Sequence, residues 1–144
     1  MIPAFIAASV CLGAASLSDL KTRSVADLIW WIMAASGLFL LFPDPGDAGL
    51  TDLLECVLVI VIQEHIMCRA YGRADSHAFS CCALFFAFSG FGLEAHILHM
   101  SLALGLLTVV QLIRGNIDGR GKLRCPVPFI PYISVSFLVV FMIK

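Results

Sequence analysis

Residues 2–23 read IPAFIAASVCLGAASLSDLKTR, and they decide what kind of molecule this is. Apolar or small residues fill every position from Ile2 to Ser18, and the run then meets Asp19, Lys21 and Arg23. A helix over such a run is about 26 Å long at 1.5 Å per residue, close to the ~30 Å hydrocarbon thickness of a bilayer. The pattern repeats down the chain. Of the 144 residues, 60% are hydrophobic and only 13% charged, with a mean hydropathy of +0.99. A soluble domain of this size is roughly half apolar and about one-quarter charged. The composition therefore predicts an all-α polytopic membrane helical bundle in a single domain, 1–144. The opening Met-Ile-Pro-Ala-Phe lacks the basic region of a cleaved signal peptide, so the first apolar run is expected to persist as a helix.

Six transmembrane helices are expected, over about 2–18, 25–42, 50–68, 77–93, 96–113 and 127–143. The loops after the first, third and fifth hold Lys21 and Arg23, then Arg69 and Arg73, then Arg114, Arg120, Lys122 and Arg124. These are eight of the nine basic residues, and only Lys144 falls opposite. The other loops hold Asp44, Asp47 and Glu94, with Asp52 and Glu55 nearby. The positive-inside rule then puts the odd-numbered loops in the cytoplasm and both termini outside a multi-pass protein of the cell membrane. The third span is the weakest, because Thr51-Asp52-Leu53-Leu54-Glu55 and Gln63-Glu64-His65 leave a short apolar centre. Pro43-Asp44-Pro45-Gly46-Asp47 reads as an outer turn, and the glycine-rich 115–121 as an inner loop.

The six cysteines form no C-x-x-C pair, so they are read as small hydrophobes and no metal or cofactor is expected. His96 and His99, spaced i, i+3 on one helix face near the outer surface, are read as interfacial polar residues ahead of a metal pair, and Glu64-His65 reads equally as a pair approaching the site or as a helix end emerging into water. Membrane lipid is an expected partner, and nucleic acid is not.

Chemistry is expected from Asp19 and Asp75. An ionisable residue at the edge of a membrane helix is costly and marks a functional site by default. The charge topology sets both acids on the cytoplasmic face at similar depth. Two carboxylates brought close cannot both ionise cheaply, so one keeps its proton near neutral pH while the other activates water. Gly72 and Ala74 are small enough to admit a close backbone, and Lys21, Arg23 and Arg73 form a basic rim. The bland alternative makes both acids boundary residues, with Asp75 as the N-cap of the fourth span.

Three stretches resemble the prepilin and preflagellin peptidases. Ser18-Asp19-Leu20-Lys21-Thr22-Arg23-Ser24-Val25-Ala26-Asp27 is similar to the family's first aspartate motif, with Ala26 where a proline is usual. Gly72-Arg73-Ala74-Asp75 is similar to its Gly-x-Gly/Ala-Asp motif, with His77 where a lysine often stands. Pro126-Val127-Pro128-Phe129-Ile130-Pro131-Tyr132 is similar to the opening of its last helix. The resemblance implies a small, peptidase-only membrane aspartyl protease with Asp19 and Asp75 as its dyad. Gly72, Ala74, Lys21, Arg23, Arg73 and His77 would support the motif or position substrate. The implied substrate is a prepilin-like protein (type IV pilin, pseudopilin or archaellin precursor), cut after its short basic leader without amino-terminal methylation. A small ion- or proton-coupled transporter, using the same acids to bind cations, is the competing expectation.

Overall fold

A computed structural model describes residues 2–41, 49–116 and 127–143, and every regular element among them is helical. Helix α1 spans Ile2–Thr22 and α2 spans Asp27–Leu41. A third rod begins as α3, Leu50–Ile62, widens into a π-helical turn over Gln63–Met67, and closes with the short α4, Cys68–Tyr71. Then follow α5 (Arg73–Phe88), α6 (Gly92–Ile113) and α7 (Ile130–Ile143). The outer turn at Pro43–Asp47 lies outside the described residues, as do Arg120, Lys122, Arg124, Cys125, Pro126 and Lys144. Two helices, Pro3–Thr22 and Gly92–Ile113, are long and apolar enough to cross a membrane; Asp27–Phe39 and Ile130–Ile143 are shorter apolar helices.

Packing places α5 at the centre. It touches α2, α3, the π turn, α4, α6 and α7, and its residues from Ala78 to Phe88 are buried except for the half-buried Leu84. Around it, α1 packs on α2 and α7, and α6 packs on α7. The buried face of α1 is Ala4, Ala8, Leu12 and Ala15, an i, i+3/i+4 stripe on which small side chains admit a neighbouring helix closely. Asp19 continues that stripe one turn further on and is itself buried. Hydroxyls tie α1 to α7: Ser16 and Ser134 lie 2.6 Å apart, and Ser134 also donates to the Leu12 carbonyl. Phe5 stacks on Phe141 with ring centroids 3.9 Å apart.

The surface is apolar over much of its extent. Leu28, Trp31, Phe39, Leu50, Ile113 and Met142 are each more than 60% exposed, well beyond the scattered apolar surface normal for a soluble domain.

Several boundaries differ from the sequence reading. Helix α1 runs past Asp19 to Thr22, so the acid sits within a helical turn rather than at a loop entrance. Helix α5 begins at Arg73 and ends at Phe88, four or five residues earlier than expected, because Gly72 forces the break before it. At φ +109° Gly72 holds a backbone conformation that side chains strongly disfavour. His96 and His99 are a correction too: both are buried rather than interfacial, with His99 packed against Phe79, Phe86 and Phe137. The i, i+3 spacing put them on one helix face as expected, but that face turns inward.

Candidate active site

The last turn of α1, the first turn of α5 and the start of α7 meet at one end of the bundle. Asp19 reaches across to α7, where its Oδ2 accepts the backbone N–H of Ile130 at 3.3 Å, and the Phe129 N–H also bonds to this carboxylate. A helix start leaves its first N–H groups without internal partners, and a carboxylate satisfies them well. Pro131 in the same first turn has no N–H to satisfy. The Arg23 guanidinium lies within electrostatic reach of the same carboxylate.

Asp75 occupies the third position of α5, so the N-cap is Gly72 rather than Asp75. A Cβ on Gly72 would lie 3.5 Å from the Asp75 Oδ2, so glycine leaves that side of the carboxyl open. Burial pushes the Asp75 pKa up to about 7, and the negative charge of Asp19 adds to the shift. The two acids therefore feel one another across 56 positions of sequence, and a pKa of about 7 leaves Asp75 holding its own proton up to about neutrality. Tyr71 stands beside them. Its hydroxyl donates to the Gln63 side chain, its ring meets those of Phe79 and Phe129 edge-on, and burial pushes its pKa up to about 12.

The π turn supplies a second polar cluster that the sequence reading missed. Widening the helix aims two adjacent residues, Gln63 and Glu64, at α5 together. The Gln63 carbonyl accepts the Ser76 hydroxyl, and its amide contacts the Met100 sulfur at 3.0 Å. Glu64 Oε1 accepts the Ser80 hydroxyl at 2.7 Å, and His77 Nδ1 lies 2.8 Å from Oε2. Such π segments recur at functional sites, and Gln63-Glu64-His65 at the end of an apolar run was its only trace in the sequence. Beside this cluster a groove of about 350 Å³ opens between α2, α3 and α5.

The anticipated site residues thus divide between two places. Asp19, Asp75, Gly72 and Arg23 gather at the α1–α5–α7 junction. Arg73 and His77 line the groove instead, where His77 faces Glu64. At about 100° per residue, Arg73 and His77 each stand some 160° from Asp75 around α5. Ala74 is half-buried against the core, and Lys21 is exposed. Among the described residues no group of three or more His, Cys, Asp or Glu could hold a metal ion. Compared with known proteins, the chain matches no family model, no curated protein and no solved structure.

Proposed function

We propose that this chain is a six-span membrane aspartyl endopeptidase that removes the short basic leader from prepilin-like precursors at the cytoplasmic membrane face, with both termini outside. The coupling of Asp19 and Asp75 at one end of the helical bundle carries the reading. The apolar exposed surface and the two span-length helices support the membrane setting.

In this mechanism the proton rests on Asp75, and Asp19 is the ionised member. Burial opposes a charge on Asp19, and two backbone N–H groups and the positive charge of Arg23 offset part of that cost. Asp19 takes a proton from water as the water oxygen attacks the scissile carbonyl carbon. Asp75 donates its proton to the carbonyl oxygen, which carries the developing negative charge. Collapse of the tetrahedral intermediate breaks the C–N bond. The proton held on Asp19 passes to the leaving amine, and the hydroxyl proton returns to Asp75. One water is consumed and the dyad is regenerated. The test is cleavage of a co-expressed prepilin by Asp19→Asn and Asp75→Asn separately. Each variant should fold and fail to cleave, and full cleavage by both would overturn the reading.

One observation favours the transport alternative. His96 is buried with both ring nitrogens unpartnered among the described residues, and it lines a cavity of about 10 Å³ with Asp52 and Glu55. Proton-driven uptake into liposomes that stops in Asp19→Asn and in His96→Gln would support transport over proteolysis.

A further inference from the structure

The groove beside α5 has a polarity gradient along its length. On α5 its wall runs from Arg73 through His77 and Ser80 to Leu84. That is about 16 Å of helix, from a guanidinium to an isobutyl group. On α2 it runs from Asp27 through Trp30 and Trp31 to Ala34, and across from them Glu64 precedes Ile60 in the same direction. Charge is thus concentrated at one end and hydrocarbon at the other, all three walls agreeing. A folded interior has no need of such a gradient, whereas an amphiphile lying along the helices matches it.

The charged end carries both signs. Arg73 is exposed and presents a planar fork suited to a phosphate. Asp27 and Glu64 are carboxylates beside two indole faces, a setting that attracts an ammonium group. Trp30 adds an independent sign: it is 95% buried, it lines the groove, and its indole N–H has no acceptor among the described residues. A buried donor without a partner costs about 1–3 kcal/mol, which a ligand oxygen would recover.

We propose that this groove binds a zwitterionic phospholipid bearing a primary ammonium, with its phosphate on Arg73, its ammonium between Asp27 and Glu64, and its acyl chain along Ala34, Ile60 and Leu84. A primary ammonium donates N–H bonds to carboxylates, which a trimethylammonium cannot, so ethanolamine headgroups are preferred over choline. A glycerol headgroup offers phosphate without a cation and brings nothing to Asp27, or to Glu64 beyond its His77 and Ser80 partners. The site is separate from the aspartate pair and does not depend on the peptidase reading.

The chain has two tryptophans, and both line the groove, so tryptophan emission reports on it, through Trp30 above all because Trp31 is largely exposed. Purified full-length protein in a non-ionic detergent is titrated with ten-carbon phosphatidylethanolamine, phosphatidylcholine and phosphatidylglycerol. Phosphatidylethanolamine should give a saturable emission shift at a midpoint about tenfold below the other two, as expected for one charge-assisted contact. Glu64→Gln should abolish that preference, and Arg73→Gln should weaken all three lipids by about tenfold. Native mass spectrometry of the unaltered protein, which needs no variant, should show a retained phosphatidylethanolamine in preference to phosphatidylglycerol. Equal responses to all three lipids, with no lipid retained in preference, would overturn the proposal. So would a saturable response to a basic leader peptide with none to phosphatidylethanolamine, which would make the groove a peptide subsite.

Discussion

The two sides of α5 solve opposite problems with similar residues. On one side Asp75 leads into Phe79, Cys82 and Phe86, all packed into the aromatic core, and its carboxyl meets the field of another acid. On the other, Arg73, His77 and Ser80 lead to Leu84 along an open groove, and the acid there, Glu64, has a histidine and a hydroxyl for company. Burial acts first on Asp75, and the like charge of Asp19 adds to it. Glu64 has a histidine and a hydroxyl to bond, whereas Asp75 lies within the field of another acid. The first arrangement suits holding a ligand; the second suits moving a proton.

The sharpest way to break this contrast is to neutralise each acid. Asp75→Asn should reduce prepilin cleavage by more than about a hundredfold, because the amide has no proton to give the substrate oxygen. Glu64→Gln should leave cleavage within about threefold, since the groove lies across α5 from the pair and an amide oxygen can still accept from Ser80. Equal losses in the two variants would erase the distinction between the sides.

Next in size is the glycine between them. Gly72→Ala places a side chain at φ +109° and should cost about 1–3 kcal/mol, read as a lowered thermal midpoint in detergent. In the interior, Ser136→Ala should cost about 1–3 kcal/mol. It removes the hydroxyl 2.7 Å from His99 Nδ1, and Nε2 already lacks a partner among the described residues.

A subtler effect concerns pH. Asp75 is harder to ionise in the fold than its ordinary value of 3.8, with a pKa near 7. A raised carboxyl pKa stabilises the fold fully below pH 3.8, and that contribution is lost progressively as pH rises to about 7. The thermal midpoint of the wild type should therefore fall between pH 4 and pH 7 and level off above, with a flatter profile in Asp75→Asn. Cleavage should decline above pH 7 as the Asp75 proton is lost.

Much of this was legible in the amino acids, and the rest was hidden for a definite reason. Apolar run lengths located every helical rod, and the stripe Ala4-Ala8-Leu12-Ala15 carries Asp19 onto the inward face of α1 by spacing alone. What one helix's sequence cannot give is how far a neighbouring helix is rotated. The resemblance puts His77 with Asp75, in the place of a motif lysine, but two residues along a helix is about half a turn around it. The inward face of His96 and His99 was set by the aromatic rings of α5 and α7, not by α6. The π turn covers only five residues, too few for periodicity to register, yet it brings Glu64 to Ser80 and His77.

The bond from Asp19 to Ile130 joins residues 111 positions apart, the first helix to the last. Its consequence is one of timing. A ribosome delivers Asp19 111 residues before Ile130, so the carboxylate has no such backbone donors until α7 has begun to emerge. Until then Asp19 lacks the contacts that favour its charge, and the pair it forms with Asp75 is incomplete. A nascent chain stopped before α7 would carry both acids and lack the frame that sets one against the other, so the hydrolytic chemistry proposed for them is withheld until α7 is in place.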